Sequence, residues 1–259
     1  MAIVISIKII MLKWLSEHKS SNHTTTQGTE PKILCIYVSY NIDDDDILFI
    51  ENNKDYCNMV VIESVNAPSL ANMHIKSMKG ITYVSRPNVG YDATAWKEYV
   101  LANIDHIRLY DYVLFVNNSC RYDFLIKDTI KDMRAKGATL YGLNRSPEYT
   151  DHIQSFYIIV HKSLTNTPEF LDHWRLMKPI TDRRSAIHNH ELTFTKDMKK
   201  IGAIVDSLTT YAVLKNTYRP EMYHEGMGAL PPFMKKKLLT NNTNRTQYLY
   251  LLKLLPHMI

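Results

Sequence analysis

Three stretches of this sequence set chemically useful side chains at the ends of apolar runs. Arg86-Pro87-Asn88-Val89-Gly90-Tyr91-Asp92 leaves one such run and leads into a segment of helical periodicity. Gly90 opens a backbone conformation closed to other residues, and the free N–H groups and positive dipole of a helix start suit a phosphate. Asn88 both donates and accepts, as recognition of a sugar or a nucleobase requires. Asn117-Asn118-Ser119 follows the run YVLFV, where a pair of carboxylates would hold Mg²⁺ or Mn²⁺. Amide oxygens also ligate hard cations, but without the negative charge that supplies most of the affinity. His188-Asn189-His190-Glu191 precedes another helical segment. With Asn189 as N-cap, Glu191 falls in the first turn, where the dipole favours a carboxylate able to act as a general base. Each stretch also has a plainer reading: an ordinary strand–helix loop capped by Asp92, a polar strand end, and a carboxylate that only complements the dipole. His188-x-His190 has no third metal ligand at a diagnostic spacing, and His224 is a late candidate contact to a metal or phosphate.

The elements that must position these residues alternate in type. Lys32–Tyr40 (KILCIYVSY), Met59–Glu63, Ile81–Val84, Tyr112–Val116, Thr139–Leu143 and Ser155–Val160 are short apolar runs rich in β-formers. Between them, Asp92 is expected to cap a helix carrying Trp96, Tyr99 and Val100 on one face. Ile126, Ile130 and Met133 repeat at helical spacing up to Lys136-Gly137, and Thr167–Met177 opens with Pro168. A further helix is expected from about Asn189 to Ile201. Alternation of this kind predicts an α/β fold with a mostly parallel central sheet and helices on both faces. Ligands of such sheets sit at the carboxyl ends of the strands. That rule selects Ser39, Tyr40, the loop from Arg86 to Asp92, Asn117 with its neighbours, and the start of the last helix.

Composition sets the remaining bounds. The 259-residue chain divides into an N-terminal apolar segment and polar linker (1–30), an α/β domain (31–230) and a basic, apolar C-terminal arm (231–259). Met1–Leu15 is interrupted by Lys8 and Lys13 and is shorter than the roughly 20 residues of a membrane-spanning helix. A packed amphipathic helix or extra strand, a membrane-surface anchor, and a disordered or signal-anchor segment all stay open for it. Cys35, Cys57 and Cys120 are far apart and form no C-x-x-C, so a reducing, cytoplasmic setting is the default, with or without membrane association. The net charge of +5 is mild and fits an anionic small ligand or a membrane surface. No basic stripe with interleaved aromatics appears, so nucleic acid is not an expected partner. Only 8 glycines occur, none in a Gly-x-Gly-x-x-Gly or a P-loop pattern, which removes the two familiar glycine-rich phosphate cradles.

RPNVGYDATAWKEYV (Arg86–Val100), YDYVLFVNNSCRYDF (Tyr110–Phe124), QSFYIIVHKSL (Gln154–Leu164) and HELTFTKDMKKIGAIVDSL (His190–Leu208) resemble, in this order and spacing, the rhamnan synthesis protein F family. Its members are glycosyltransferase-like proteins of polysaccharide assembly. The resemblance spans about Lys32 to Tyr211 and implies a single-domain, nucleotide-diphospho-sugar transferase fold of the GT-A type. It implies a nucleoside-diphosphate sugar as donor, carrying rhamnose or another hexose, and a growing glycan or polysaccharide as acceptor. It places Asn88, Gly90 and Asp92 beside the donor, joined by the strand-end residues Ser39, Tyr40 and Arg86. Asn117, Asn118 and Ser119 fall where the family's metal motif belongs, and Glu191 falls near the base of inverting relatives. The usual Asp-x-Asp is absent. An Mn²⁺ or Mg²⁺ ion would rest on Asn118 and His224; without one, Arg121, Lys97 or the Lys235–Lys237 run must supply the positive charge for the leaving diphosphate. The alternative is a catalytically inactive sugar- or nucleotide-binding module of the same fold, acting in a glycan-assembly complex.

Overall fold

The computed structural model describes residues 30–65, 70–209 and 233–237. β1 (Ile33–Ser39) is buried at every position, the pattern of a strand covered on both faces, and β4 (Tyr112–Asn117) repeats it. With β2 (Asn58–Ser64) and β3 (Ile81–Arg86) these form a parallel half-sheet in the order β3-β2-β1-β4. Beyond β4 come β8 (Tyr157–His161), β6 (Leu140–Ser146) and the short β7 (His152–Ile153), each antiparallel to its neighbour. β9 (Val205–Thr209) runs parallel to β6. The sheet is therefore mostly parallel, as the strand–helix alternation predicts, with antiparallel β8 set beside β4.

Helices cover both faces. On one face α1 (Asp44–Asn53) and α4 (Ile126–Ala135) pack Phe49, Ile50, Ile130 and Met133 against Tyr37, Val61, Leu114 and Tyr157. On the other face α3 (Tyr91–Ile107), α6 (Pro168–Leu176) and α8 (Leu192–Lys200) bring Trp96, Trp174 and Phe194 onto Ile36 and Phe115. The Trp96 indole donates to the Ile36 carbonyl at 3.3 Å, fixing α3 over β1. α2 (Leu70–Ser77) and the single-turn α5 (Lys162–Thr165) complete the crossovers. α6 starts as its residues dictate, with Thr167 accepting from Phe170 N and Pro168 in the first turn.

Local sequence explains three other helix starts, two of them against expectation. The Asp43–Asp46 run is an N-terminal device: Asp43 accepts from Asp46 N at 3.0 Å and Asp46 accepts from Asp43 N at 3.2 Å, a reciprocal cap for α1. Asp92 is not the cap of α3. Gly90 takes that position at φ +78°, and Asp92 lies inside the first turn with its carboxylate aimed at β4. Asn189 is not a cap either. Asp182 forms a reciprocal cap with Ser185 and starts α7 (Arg183–Ala186), which continues through a π-helical turn (Ile187–Glu191) directly into α8. Asn189 is thus mid-helix, its amide donating to the Pro179 carbonyl at 3.1 Å, and Glu191 lies at the end of the π turn, a further α turn beyond the free helix N-terminus at Asp182.

The two remaining strands, β5 (Cys120–Tyr122) and β10 (Phe233–Lys235), pair antiparallel beyond the end of β4, matching Lys235 with Cys120. Phe233 packs on Phe156 in the core, ring centroids 5.4 Å apart. Met1–Leu15, His224 and the rest of the expected C-terminal arm lie outside the described residues. No helix among the described residues is long and apolar enough to cross a membrane. All three cysteines are free and buried.

Candidate functional site

From β1 the chain builds outward to β2 and β3, then returns through α3 to lay β4 on the other side of β1. A reversal of this kind opens a crevice outside the carboxyl ends of the two central strands. Ser39 ends β1 and Asn117 ends β4. The Asn118 amide nitrogen spans the gap, 2.9 Å from Ser39 Oγ, 3.2 Å from the Asn41 carbonyl and 3.3 Å from Asp46 Oδ2. The Asn117 amide donates to Asp92 at 2.7 Å, while its oxygen accepts from Ser119 N (3.1 Å) and Ser119 Oγ (2.6 Å). Ser39, Asp92, Asn117, Asn118 and Ser119 thus form one hydrogen-bonded rim.

The loop that delivers Asp92 is conformationally unusual. Gly90 and Tyr91 are both left-handed, at φ +78° and +57°. A bulky residue there carries strain, which collects at functional sites. A Cβ on Gly90 would lie 2.3 Å from Thr94 Oγ1, so both backbone and packing demand glycine. Arg86 holds the loop from behind: its guanidinium donates to Val89 O (2.9 Å), Ser64 Oγ (3.2 Å) and both Glu98 oxygens (2.8 and 3.0 Å). Arg86 is therefore engaged with the loop and with α3. Tyr40, Asn88 and Tyr91 are exposed beside the rim.

Glu191 reaches the same edge of the sheet from the helical layer. Its Oε2 accepts from Ser155 N (2.9 Å) and Ser155 Oγ (2.7 Å), and its Oε1 lies 3.5 Å from His152 Nε2. The next residue, Phe156, accepts the Asn117 N–H at 3.1 Å. Burial opposes the Glu191 charge, but the bonds from His152 and Ser155 outweigh it and hold its pKa down to about 2. Asp92 goes the other way: burial raises it to about 6, against the pull of the Asn117 amide and the Lys235 charge.

The profile of one family, rhamnan synthesis protein F, matches residues 64–258. The chain belongs to the rhamnan synthesis protein F family. It is 25% identical over 200 residues to uncharacterized protein y4gN of Sinorhizobium fredii (strain NBRC 101917 / NGR234), covering 73% of this chain and 52% of that protein. The chain thus spans about half the length of this curated relative. Among solved structures, the mannosyltransferase PcManGT of Pyrobaculum calidifontis, in complex with GDP-Man and Mn²⁺, superposes with a TM-score of 0.47 at 12% identity, covering 78% of this chain and 61% of that one. S. aureus TarS 1-349 superposes with a TM-score of 0.43 at 12% identity, covering 70% and 59%. Both are loose likenesses of overall shape.

In this member of the rhamnan synthesis protein F family the strand end carries two amides and a hydroxyl, Asn117, Asn118 and Ser119, in place of a carboxylate pair. Among the described residues no three His, Cys, Asp or Glu side chains are grouped to hold a metal. Both ends of the Asn117 amide are engaged, and the Asn118 nitrogen is turned inward. A cation of another kind is present. Lys235 Nζ lies 2.9 Å from Ser119 Oγ and 3.8 Å from the centroid of the Phe156 ring. Lys236 is bound on the other side of β10, its Nζ 2.6 and 2.7 Å from the Asp43 oxygens and also on Asp46. Burial raises the Asp46 pKa and Lys236 pulls it back. The other basic residues considered from the sequence are directed elsewhere: Lys97 donates to the Met177 carbonyl at 2.8 Å, and Arg121 to Asp123 at 3.0 Å. Sequence reasoning placed Lys235 on an arm, because nothing local announces that β10 pairs with a strand more than a hundred residues earlier.

A cavity of about 400 Å³ opens between α6 and α8, lined by His173, Met177, His188, Asn189 and Asp197 among others. None of the rim residues lines it.

Proposed function

We propose that the chain is a glycosyltransferase that binds a nucleoside-diphosphate sugar in the crevice between β1 and β4 and passes the sugar to a glycan or polysaccharide hydroxyl. The observation that carries this reading is the rim itself: Asn118 bonded to Ser39 across the point where strand order reverses, and Asn117 bonded to Asp92 beside it. Membership of a family named for rhamnan synthesis points to rhamnose or another hexose as the sugar. Tyr40, Asn88 and Tyr91, exposed at the mouth, offer aromatic and amide surfaces for the nucleoside.

In the transfer step the acceptor oxygen forms a bond to the anomeric carbon as the bond from that carbon to the diphosphate breaks. The bonding pair leaves on the phosphate oxygen, and the acceptor proton goes to a carboxylate. Of the carboxylates at this edge, Asp46 is fully buried and bound by Lys236, and the surroundings of the other two, Glu191 and Asp92, push their proton affinities apart. Glu191, the base expected from the sequence, is held near a pKa of about 2 with its oxygens directed to Ser155 and His152. Its role is to position the Ser155–Phe156 backbone against Asn117. Asp92, at about 6, both gains and loses a proton near neutral pH, the property a general base needs. We assign the proton-accepting role to Asp92.

The test is transfer or hydrolysis by the purified chain from a panel of UDP-, GDP- and dTDP-hexoses. Asp92→Asn is expected to retain the fold and to lose roughly 10²–10⁴-fold in turnover. Wild-type turnover by that variant removes the base assignment. An absence of sugar release by the wild type from every donor favours the binding-module alternative.

A further inference from the structure

We propose that the groove between α6 and α8 holds the acceptor as a chain of uncharged sugar rings, with His188, Asn189 and the ring of Tyr149 at its head. This rests on the glycosyltransferase reading and deepens it by giving the acceptor a place apart from the rim. The groove is written into both helices. Glu169, Asp172, His173 and Leu176 fall on one face of α6. Asn189, Thr193, Asp197 and Lys200 fall on one face of α8 and the π turn before it. From Glu169 to Leu176 the groove follows α6 for about 10 Å at the rise of an α-helix, longer than a single sugar ring. Its head lies toward the reaction edge. Glu191, three residues after His188, holds Ser155 beside the strand end at Asn117. Met177, at the end of α6, accepts from Lys97 on α3, the helix whose first turn carries Asp92.

The lining suits hydroxyl groups without net charge. The carboxylates of Glu169, Asp172 and Asp197 share it with the ammonium groups of Lys178 and Lys200, so no field of one sign attracts an ionic ligand. A nucleoside diphosphate would set its charge against three carboxylates, which makes this an acceptor site and not a second donor site. A sugar hydroxyl donates and accepts at once, and both kinds of partner are open here. Glu169, Lys178 and His188 form no hydrogen bond among the described residues, and Asn189 spends its amide nitrogen on Pro179 and keeps its oxygen. Leu176, Met177 and Ile201 add apolar surface for the C–H faces of the rings and for the methyl group of a 6-deoxyhexose. Tyr149 is a second, independent sign of a ligand. It is 76% exposed and left-handed at φ +70°, the kind of backbone strain that collects at binding sites. Its ring meets His188 edge-on with centroids 6.1 Å apart, so a flat aromatic face is left beside the head of the groove for a sugar to stack on.

The experiment is calorimetric titration of the full chain, with and without UDP, GDP or dTDP, using oligosaccharides of rhamnose, mannose and glucose and an oligogalacturonate as the charged control. The wild type is expected to bind at least one neutral oligosaccharide, and to bind it more tightly than oligogalacturonate. Tyr149→Ala, His188→Ala and Glu169→Ala, all at exposed side chains, are each expected to weaken that oligosaccharide roughly tenfold and to leave the affinity for nucleoside diphosphate unchanged. The retained nucleotide affinity also shows that each variant is folded, so a loss confined to the oligosaccharide belongs to the groove. Equal oligosaccharide binding by the wild type and all three variants overturns this inference and leaves the glycosyltransferase reading standing. Nucleoside-diphosphate binding with no oligosaccharide bound has the same consequence. Tighter binding of oligogalacturonate overturns the uncharged occupant. Absence of both nucleotide and oligosaccharide binding overturns the inference and the reading on which it rests.

Discussion

The side-chain amide of Asn117 donates to the carboxylate of Asp92 at 2.7 Å, tying the end of β4 to the first turn of α3. That bond turns a residue expected to cap a helix into a member of the rim, and burial there raises its pKa to about 6. The activity of the wild type is therefore expected to rise with pH through a limb near 6 in kcat/KM, as Asp92 loses its proton. Asp92→Asn should lack the limb. A wild-type profile with no group titrating near 6, or an unchanged limb in the variant, contradicts this.

The same shift has a consequence for stability. Between its unfolded value of about 4 and its folded value of about 6, Asp92 binds more protons in the folded chain. Its contribution is thus most favourable below pH 4 and declines as pH rises to 6. The stability of Asp92→Asn relative to wild type should improve over that interval. Urea midpoints at pH 4 and pH 7 measure it, and a difference that stays constant or moves the other way counts against the buried placement.

Glu191 gives the opposite sign. Its folded pKa of about 2 lies below its unfolded value, so its contribution is full above about pH 5 and is lost as pH falls toward 2. Glu191→Gln should lose up to about 3 kcal/mol at pH 7, with the deficit shrinking in acid. The variant should keep the kinetic limb near 6. Disappearance of that limb in Glu191→Gln would return the base to Glu191.

Gly90→Ala meets two obstacles, a φ of +78° and a contact of 2.3 Å with Thr94 Oγ1. Gly202 has a similar φ of +86° but open space around a Cβ. Gly202→Ala should therefore cost about 1 kcal/mol from the backbone alone. Gly90→Ala should exceed it and also weaken donor binding by displacing Asp92. Equal losses in thermal or urea unfolding would mean that Thr94 gives way freely.

Lys236→Met leaves the fully buried Asp46 carboxylate without its cation. A loss of about 3 kcal/mol is expected at neutral pH, and Asp46→Asn in the same chain should recover most of it. Failure of the second substitution to recover stability would show that Lys236 acts through packing instead.

Much of this was legible locally. The apolar runs at Ile33–Ser39 and Tyr112–Asn117 announce buried strands, and the strand-end rule then selects Ser39 and Asn117–Ser119 without any structure. Helix starts were less legible, because several residues compete for each. Asp182 with Ser185 outcompetes Asn189, and Gly90 outcompetes Asp92, since only glycine accepts the left-handed turn against Thr94. Least legible were the contacts between distant segments. Lys235 and Ser119 are 116 residues apart, and Glu191 and Ser155 are 36 apart. Periodicity carries no information about which strand a late three-residue segment joins.

The central claim is that a nucleotide sugar occupies the crevice between β1 and β4. Its most direct test is equilibrium binding of UDP-, GDP- and dTDP-hexoses to the wild type and to Asn118→Ala, which removes the link to Ser39 and leaves the buried strands intact. The expected result is saturable binding of at least one donor by the wild type, weakened roughly tenfold or more in the variant. Absence of binding by every donor, or equal binding by both proteins, would contradict the claim.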